Sequence, residues 1–134
     1  LAERVREQMG GRVRVIEVLH WGMGEDAAEG LARELERIAA EGVAERVLVD
    51  SKVGEAKGGT GVAFDWEAAR GMFAGAPEGL RLIVAGGLRP ENVAEAVERL
   101  GPWGVDVSSG VEAGPGKKDG ERVREFIGRA RAAV

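Results

Sequence analysis

The sequence predicts an α/β fold of parallel β/α units, half of a (β/α)8 barrel. Three observations predict it. Short apolar runs rich in β-branched residues alternate with segments whose apolar residues recur at helical spacing. The glycines, serines and aspartates that stand out all follow the strands, while the segments before the strands are plain. The Gly-x-Gly-x-x-Gly turn that a dinucleotide-binding open sheet carries after its first strand is absent. Polar residues at the carboxyl ends of parallel strands suit both a barrel and an open doubly wound sheet. The missing fingerprint favours the barrel. A whole barrel takes ~200–250 residues, and 134 residues supply four strand–helix units. The expectation is therefore a single segment, 1–134, completed by a missing N-terminal half-barrel on the same or another chain.

The elements follow in order. Leu1 to Met9 reads as a helix tail stopped by Gly10-Gly11. Val13 to Leu19 is β-branched and reads as the first strand. Asp26 to Glu41 is helical, with Leu31, Leu35 and Ile38 along one face and Gly42 at its end. Arg46 to Asp50 is a short buried strand, followed by a glycine-bearing loop from Gly54 to Gly61. Asp65 caps a helix running to about Phe73. Leu80 to Ala85 is the third strand, and Pro90 opens the next helix with its stripe of Val93, Ala96, Val97 and Leu100. Val105 to Ser108 is the fourth strand. Asp119 caps the last helix, whose inner face is Val123, Phe126, Ile127 and Ala130.

Composition narrows the function. Net charge is -4, so an anionic ligand has to be held by local donors, and no basic surface is offered to nucleic acid or an anionic membrane. The chain has no cysteine and one histidine, which excludes a thiolate nucleophile, a disulfide and a poly-His or Cys metal site. No apolar run approaches the ~20 residues that cross a bilayer, and a cytoplasmic setting is expected.

The chemistry gathers in two glycine turns. Leu82-Ile83-Val84-Ala85-Gly86-Gly87 ends one apolar strand, and Gly104-Val105-Asp106-Val107-Ser108-Ser109-Gly110 ends the next. Gly86-Gly87 is either a plain tight turn or a phosphate-binding one whose N–H groups lie beside a helix start. Ser109-Gly110 in the neighbouring turn tips the balance to phosphate, because two adjacent strand ends can grip one phosphate from two directions. Ser108 and Ser109 are otherwise a hydroxyl-capped turn. No Gly-x-Ser-x-Gly elbow marks either as a nucleophile. Asp50, at the end of Val47-Leu48-Val49, is either a turn carboxylate or a general acid at the barrel mouth. By strand alternation Asp106 faces away from Val105 and Val107, toward a substrate group or a lysine. Gly58, Gly59, Thr60 and Gly61 form a loop tip suited to a lid and are not a nucleotide P-loop. His20 reads as a hydrogen-bonded structural residue, the three tryptophans as packing, and Lys117-Lys118 as a solvated pair.

Five stretches in order resemble phosphoribosylanthranilate isomerase of tryptophan biosynthesis. They are Val-Leu-Val-Asp50-Ser51; Gly58-Gly59-Thr60-Gly61 with Phe64-Asp65-Trp66; Ala85-Gly86-Gly87-Leu88 with Pro90-Glu91-Asn92-Val93; Gly104 through Glu112; and Pro115-Gly116 with Lys118-Asp119. The resemblance implies strands five to eight of a TIM barrel. It implies an Amadori rearrangement of N-(5-phosphoribosyl)anthranilate, a small phosphorylated substrate, without cofactor or metal. It makes Asp50 the general acid, puts Asp106 near the substrate, gives the phosphate to Gly86, Gly87, Ser109 and Gly110, and lets the loop at Gly59 close over the site. The family's general-base cysteine, in a Lys-Ile-Cys-Gly motif, and its anthranilate-binding arginine have no counterpart in these residues. Negligible turnover of this segment alone is therefore expected. The alternatives are a neighbouring barrel enzyme with the same phosphate grip, and a non-catalytic half-barrel that binds phosphate esters or self-associates.

Overall fold

A computed structural model describes residues 1–22, 24–51 and 64–134. The order is α1 (Ala2–Gln8), β1 (Val15–His20), α2 (Ala27–Glu41), β2 (Ala44–Asp50), α3 (Trp66–Ala74), β3 (Arg81–Ala85), α4 (Val93–Leu100), β4 (Gly104–Val105), β5 (Glu112–Gly114), β6 (Lys117–Lys118) and α5 (Gly120–Ala132). Strands β1 to β4 form one parallel sheet in chain order, and β5 and β6 pair antiparallel. Parallel neighbours joined through helices are the β/α repeat that the alternating pattern predicts.

One face of the sheet is covered. Val47, Val49, Leu82 and Val84 are buried there with Leu31, Leu35 and Ile38 of α2, Ala69 and Phe73 of α3, Val93 and Ala96 of α4 and Phe126 of α5. Helices α2 to α5 pack in series, each against the next. Residues of opposite parity turn to the other face, as period-two alternation requires. There Ile16 is 49% and Val18 52% exposed, values unusual for central β-branched residues of a strand.

Local chemistry sets the helix ends. Asp65 accepts from the Ala68 amide at 2.9 Å, and Asp119 accepts from the Glu121 and Arg122 amides, each supplying an acceptor that a helix start lacks. Gly42 ends α2 at φ 67°, with its N–H bonded to the Ile38 carbonyl, a conformation that favours glycine.

Three expectations are corrected, and one further element is added. Helix α4 opens at Val93, three residues after Pro90. The reason is Asn92: its side chain accepts from Arg89 N at 2.8 Å and donates to Gly87 O at 3.0 Å, which holds 89–92 as a turn. Strand β4 stops at Val105, well short of Ser108. It pairs with β3 alone, and one further bond, from Asp106 N to Val84 O, ends the ladder before the chain bends into a 3-10 turn at Ser109–Val111. The β5–β6 hairpin was not anticipated; Pro115-Gly116 forms its turn, with Gly116 at φ 73°. Trp103 is a surface residue, 56% exposed, with the Arg46 and Arg81 guanidinium groups 5.2 and 5.5 Å from its ring centroid. Trp21 and Trp66 do pack against the core, through Phe64.

Candidate functional site

The carboxyl ends of the four strands bring the polar residues together. The register sets His20 beside Asp50 and Asp50 beside Ala85. Asp106 follows Val105, which pairs with Val84, and its N–H donates to Val84 O at 2.9 Å, so its backbone lies next to the end of β3. Asp50 and His20 thus share one rim of the sheet, on the side away from the helices, and Asp106 follows the end of β4. The sequence reading set Asp106 inside a strand; it lies just past the end of β4, so strand alternation does not fix the direction of its side chain.

The backbone under Asp50 is tied on both sides. Trp21 N donates to Asp50 O at 2.9 Å, and Ser51 N donates to Ala85 O at 2.8 Å. Ser51 is buried, and its hydroxyl donates to the same Ala85 carbonyl at 2.9 Å. A buried hydroxyl needs such a partner. This one clamps the end of β2 to the end of β3. The Asp50 side chain is about one third exposed, and His20 Nδ1 lies 3.4 Å from its Oδ2. That separation exceeds the usual 2.7–3.2 Å range of an N–H···O bond, so His20 is a close neighbour of Asp50 rather than its tight partner.

The two glycine turns meet. Gly86 and Gly87 adopt φ 90° and 68°, the left-handed region where a side chain is strained. Gly110 stands so close to the first turn that a Cβ would overlap the Leu88 carbonyl oxygen, 2.9 Å from Leu88 C and 3.1 Å from Arg89 Cα. The second turn shows a consistent polarity. Ser108 O accepts from Lys118 Nζ at 2.8 Å, Ser109 O from Glu112 N, Gly110 O from Arg122 Nε and Nη2 at 3.1 and 3.0 Å, and Val111 O from Asp119 N at 2.8 Å. The Ser109 and Gly110 amides open the 3-10 turn and have no acceptor within it. Ser108 precedes that turn without a side-chain cap bond, so the hydroxyl-capped alternative is not the geometry adopted.

Two ion pairs brace the turns. Arg122 Nη1 and Nη2 reach Glu91 at 3.0 and 3.2 Å, and Lys118 reaches Glu112 at 2.8 Å. Hydrogen bonding from Arg122 holds the Glu91 carboxyl below its ordinary value and raises Arg122 in turn. Lys118 does the same to Glu112. Lys118 is thus a brace, correcting its reading as part of a solvated pair. Sequence reasoning also passed over Arg122 and the clamp made by Ser51. Their contacts to Gly110, Glu91 and Ala85 span 12 to 34 residues, beyond any local signal. Gly58, Gly59, Thr60 and Gly61 lie outside the described residues. Among the described residues no group of three or more His, Cys, Asp or Glu could hold a metal ion, and no buried side-chain polar atom lacks a partner.

A four-stranded parallel β/α sheet with polar residues and glycine turns at its carboxyl strand ends defines an α/β protein of the kind that binds its ligand at that end of the sheet. Comparison with known proteins gives the family. The family model described as N-(5'phosphoribosyl)anthranilate (PRA) isomerase matches residues 7–129, and the chain belongs to that family. The N-(5'-phosphoribosyl)anthranilate isomerase of Rubrobacter xylanophilus is 42% identical over 130 residues, 97% of this chain and 57% of that protein. The solved isomerase of Pyrococcus furiosus superposes with a TM-score of 0.71 at 30% identity, over 98% of this chain and 56% of its own. A phosphoribosyl anthranilate isomerase solved in complex with reduced 1-(o-carboxyphenylamino)-1-deoxyribulose 5-phosphate is similar at a TM-score of 0.65 and 30% identity, over 97% and 55% of the two chains. The chain spans about half the length of the curated relatives it matches.

Proposed function

We propose that this chain forms strands five to eight of a (β/α)8 barrel, and that the completed barrel isomerises N-(5'-phosphoribosyl)anthranilate to 1-(2-carboxyphenylamino)-1-deoxyribulose 5-phosphate in the cytoplasmic step of tryptophan biosynthesis. The observation that carries it is the contact of Gly110 with the Leu88–Arg89 backbone, beside the strand ends at Asp50 and Asp106. It sets donor-rich turns and carboxylates at one end of one sheet. The half-exposed Ile16 and Val18, on a face that a closed barrel fills with side chains, support the half-barrel assignment.

In this reading the amides of Gly86, Gly87, Ser109 and Gly110 hold the phosphate, and the carboxyl of Asp50 acts as general acid. It protonates the ribose ring oxygen, the ring C–O bond breaks, and the anilino nitrogen becomes an iminium. A base from the complementary half removes the C2 proton. The electron pair moves into the iminium, giving an enolamine that tautomerises to the ketone. The iminium is the electron sink, so the reaction asks for no external one. Asp106 takes a polar group of the substrate.

The test is isomerase turnover in a barrel completed with a family N-terminal half. Asp50→Asn should lower kcat by about 10²- to 10⁴-fold and leave phosphate affinity unchanged. The 134-residue chain alone should show negligible turnover. Parent-like kcat in Asp50→Asn removes the acid assignment, and full turnover by the isolated chain removes the half-barrel one.

A further inference from the structure

We propose that Arg122 is a positioning residue for the phosphate grip. The proposal rests on the phosphate assignment above and adds what sets its geometry. Arg122 sits in the first turn of α5, where the Asp119 side chain accepts from its amide at 3.3 Å. Its guanidinium spans two loops. Nε and Nη2 donate to the Gly110 carbonyl, while Nη1 and Nη2 donate to both carboxylate oxygens of Glu91, on the turn that follows Gly86-Gly87. One planar fork with fixed donor directions thus ties three elements, and arginine is suited to this where lysine is not.

The consequence is directional. With its carbonyl turned toward α5, the Gly110–Val111 peptide is locked in orientation, and the turn of Ser109 and Gly110 with it. The bond to Glu91 sets the spacing between this turn and the next, against the hard stop of Gly110 on Leu88. An exposed ion pair adds little stability by itself. Its effect here is on where the Ser109 and Gly110 amides point, which have no acceptor within their own turn, and preorganised donors are what an anion site needs. No other arginine of α5 touches either turn among the described contacts; Arg129 pairs with Glu125 one helical turn away.

The test is titration of the 15N-labelled chain with inorganic phosphate, following the amides of Gly86, Gly87, Ser109 and Gly110. The parent should show saturable shifts at these amides. Arg122→Ala should bind about tenfold or more weakly, Arg122→Lys should be intermediate, Glu91→Gln should lose a few-fold, and Arg129→Ala should match the parent. Parent-like affinity in Arg122→Ala overturns the positioning role and leaves the phosphate assignment standing. Should Arg122→Ala fail to fold, parent-like affinity in both Arg122→Lys and Glu91→Gln overturns it instead. Absence of saturable shifts in the parent overturns the phosphate assignment, and this inference with it.

Discussion

Gly110 has no room for a side chain. Even the smallest addition, Gly110→Ala, puts a methyl group into the Leu88 carbonyl. The obstacle is backbone, which cannot swing aside as a long side chain does. The two turns must separate, at a cost of about 1–3 kcal/mol in stability. Gly114 makes a control, because a Cβ there meets nothing within 4 Å. Gly114→Ala should change stability by no more than ~0.5 kcal/mol. Urea denaturation of the two variants checks the contrast. Phosphate titration should show Gly110→Ala weakened and Gly114→Ala unaffected. Equal stability of the two would mean that the turns do not touch in solution.

The elements whose causes are local were legible in the sequence. Asp65 and Asp119 cap helices because each carboxylate needs only an amide two or three residues on. The stripe of Leu31, Leu35 and Ile38 is buried as its spacing requires. Legibility failed where a distant or competing partner decided the outcome. Pro90 is a good first helical residue, but Asn92 bonded back to Arg89 and Gly87 and delayed the helix. Strand β4 was cut short because pairing to one neighbour ends where that neighbour's ladder ends. At the candidate site Asp50 at a strand end and the positive-φ turn of Gly86-Gly87 were readable, while Asp106 fell outside the strand expected to hold it. The braces from Lys118 and Arg122 were not, since nothing in a window of sequence links Arg122 to Glu91.

The same braces make a pH prediction for the loop elements. Glu91 and Glu112 both have folded values held below the ordinary glutamate range by a cation that donates to them. Protons therefore bind the unfolded chain more readily than the folded one as acid is added. The stabilisation from each pair is complete above the unfolded value and is lost as pH falls through the folded value. The urea midpoint should stay level from pH 7 to about 5 and decline below about 4.5. In Glu91→Gln part of that decline should vanish. An identical acid profile in parent and variant would show that the Arg122–Glu91 pair is not formed.

Across the whole molecule the helix-covered face of the sheet carries the core. Leu35 has no exposed surface and belongs to the cluster that joins α2 to the sheet and to the other helices. Leu35→Ala should cost about 2–5 kcal/mol, a large share of the roughly 5–15 kcal/mol that holds a domain folded. A fall in the thermal midpoint with loss of the cooperative transition checks this; a midpoint within a degree of the parent would place Leu35 outside the core. The opposite face tells a different story. Ile16 and Val18 remain about half exposed, so adding a family N-terminal half should slow hydrogen exchange of β1 and β4 while α2 changes little.

Between Ser108 and Val111 every backbone oxygen is already claimed from within the protein. Each of those four carbonyls has spent a lone pair that a cation such as sodium or magnesium would need, while the Ser109 and Gly110 N–H groups have no acceptor within the turn. The main chain of this turn is thereby more accommodating to a negative ion than to a positive one, in a protein whose own net charge is -4.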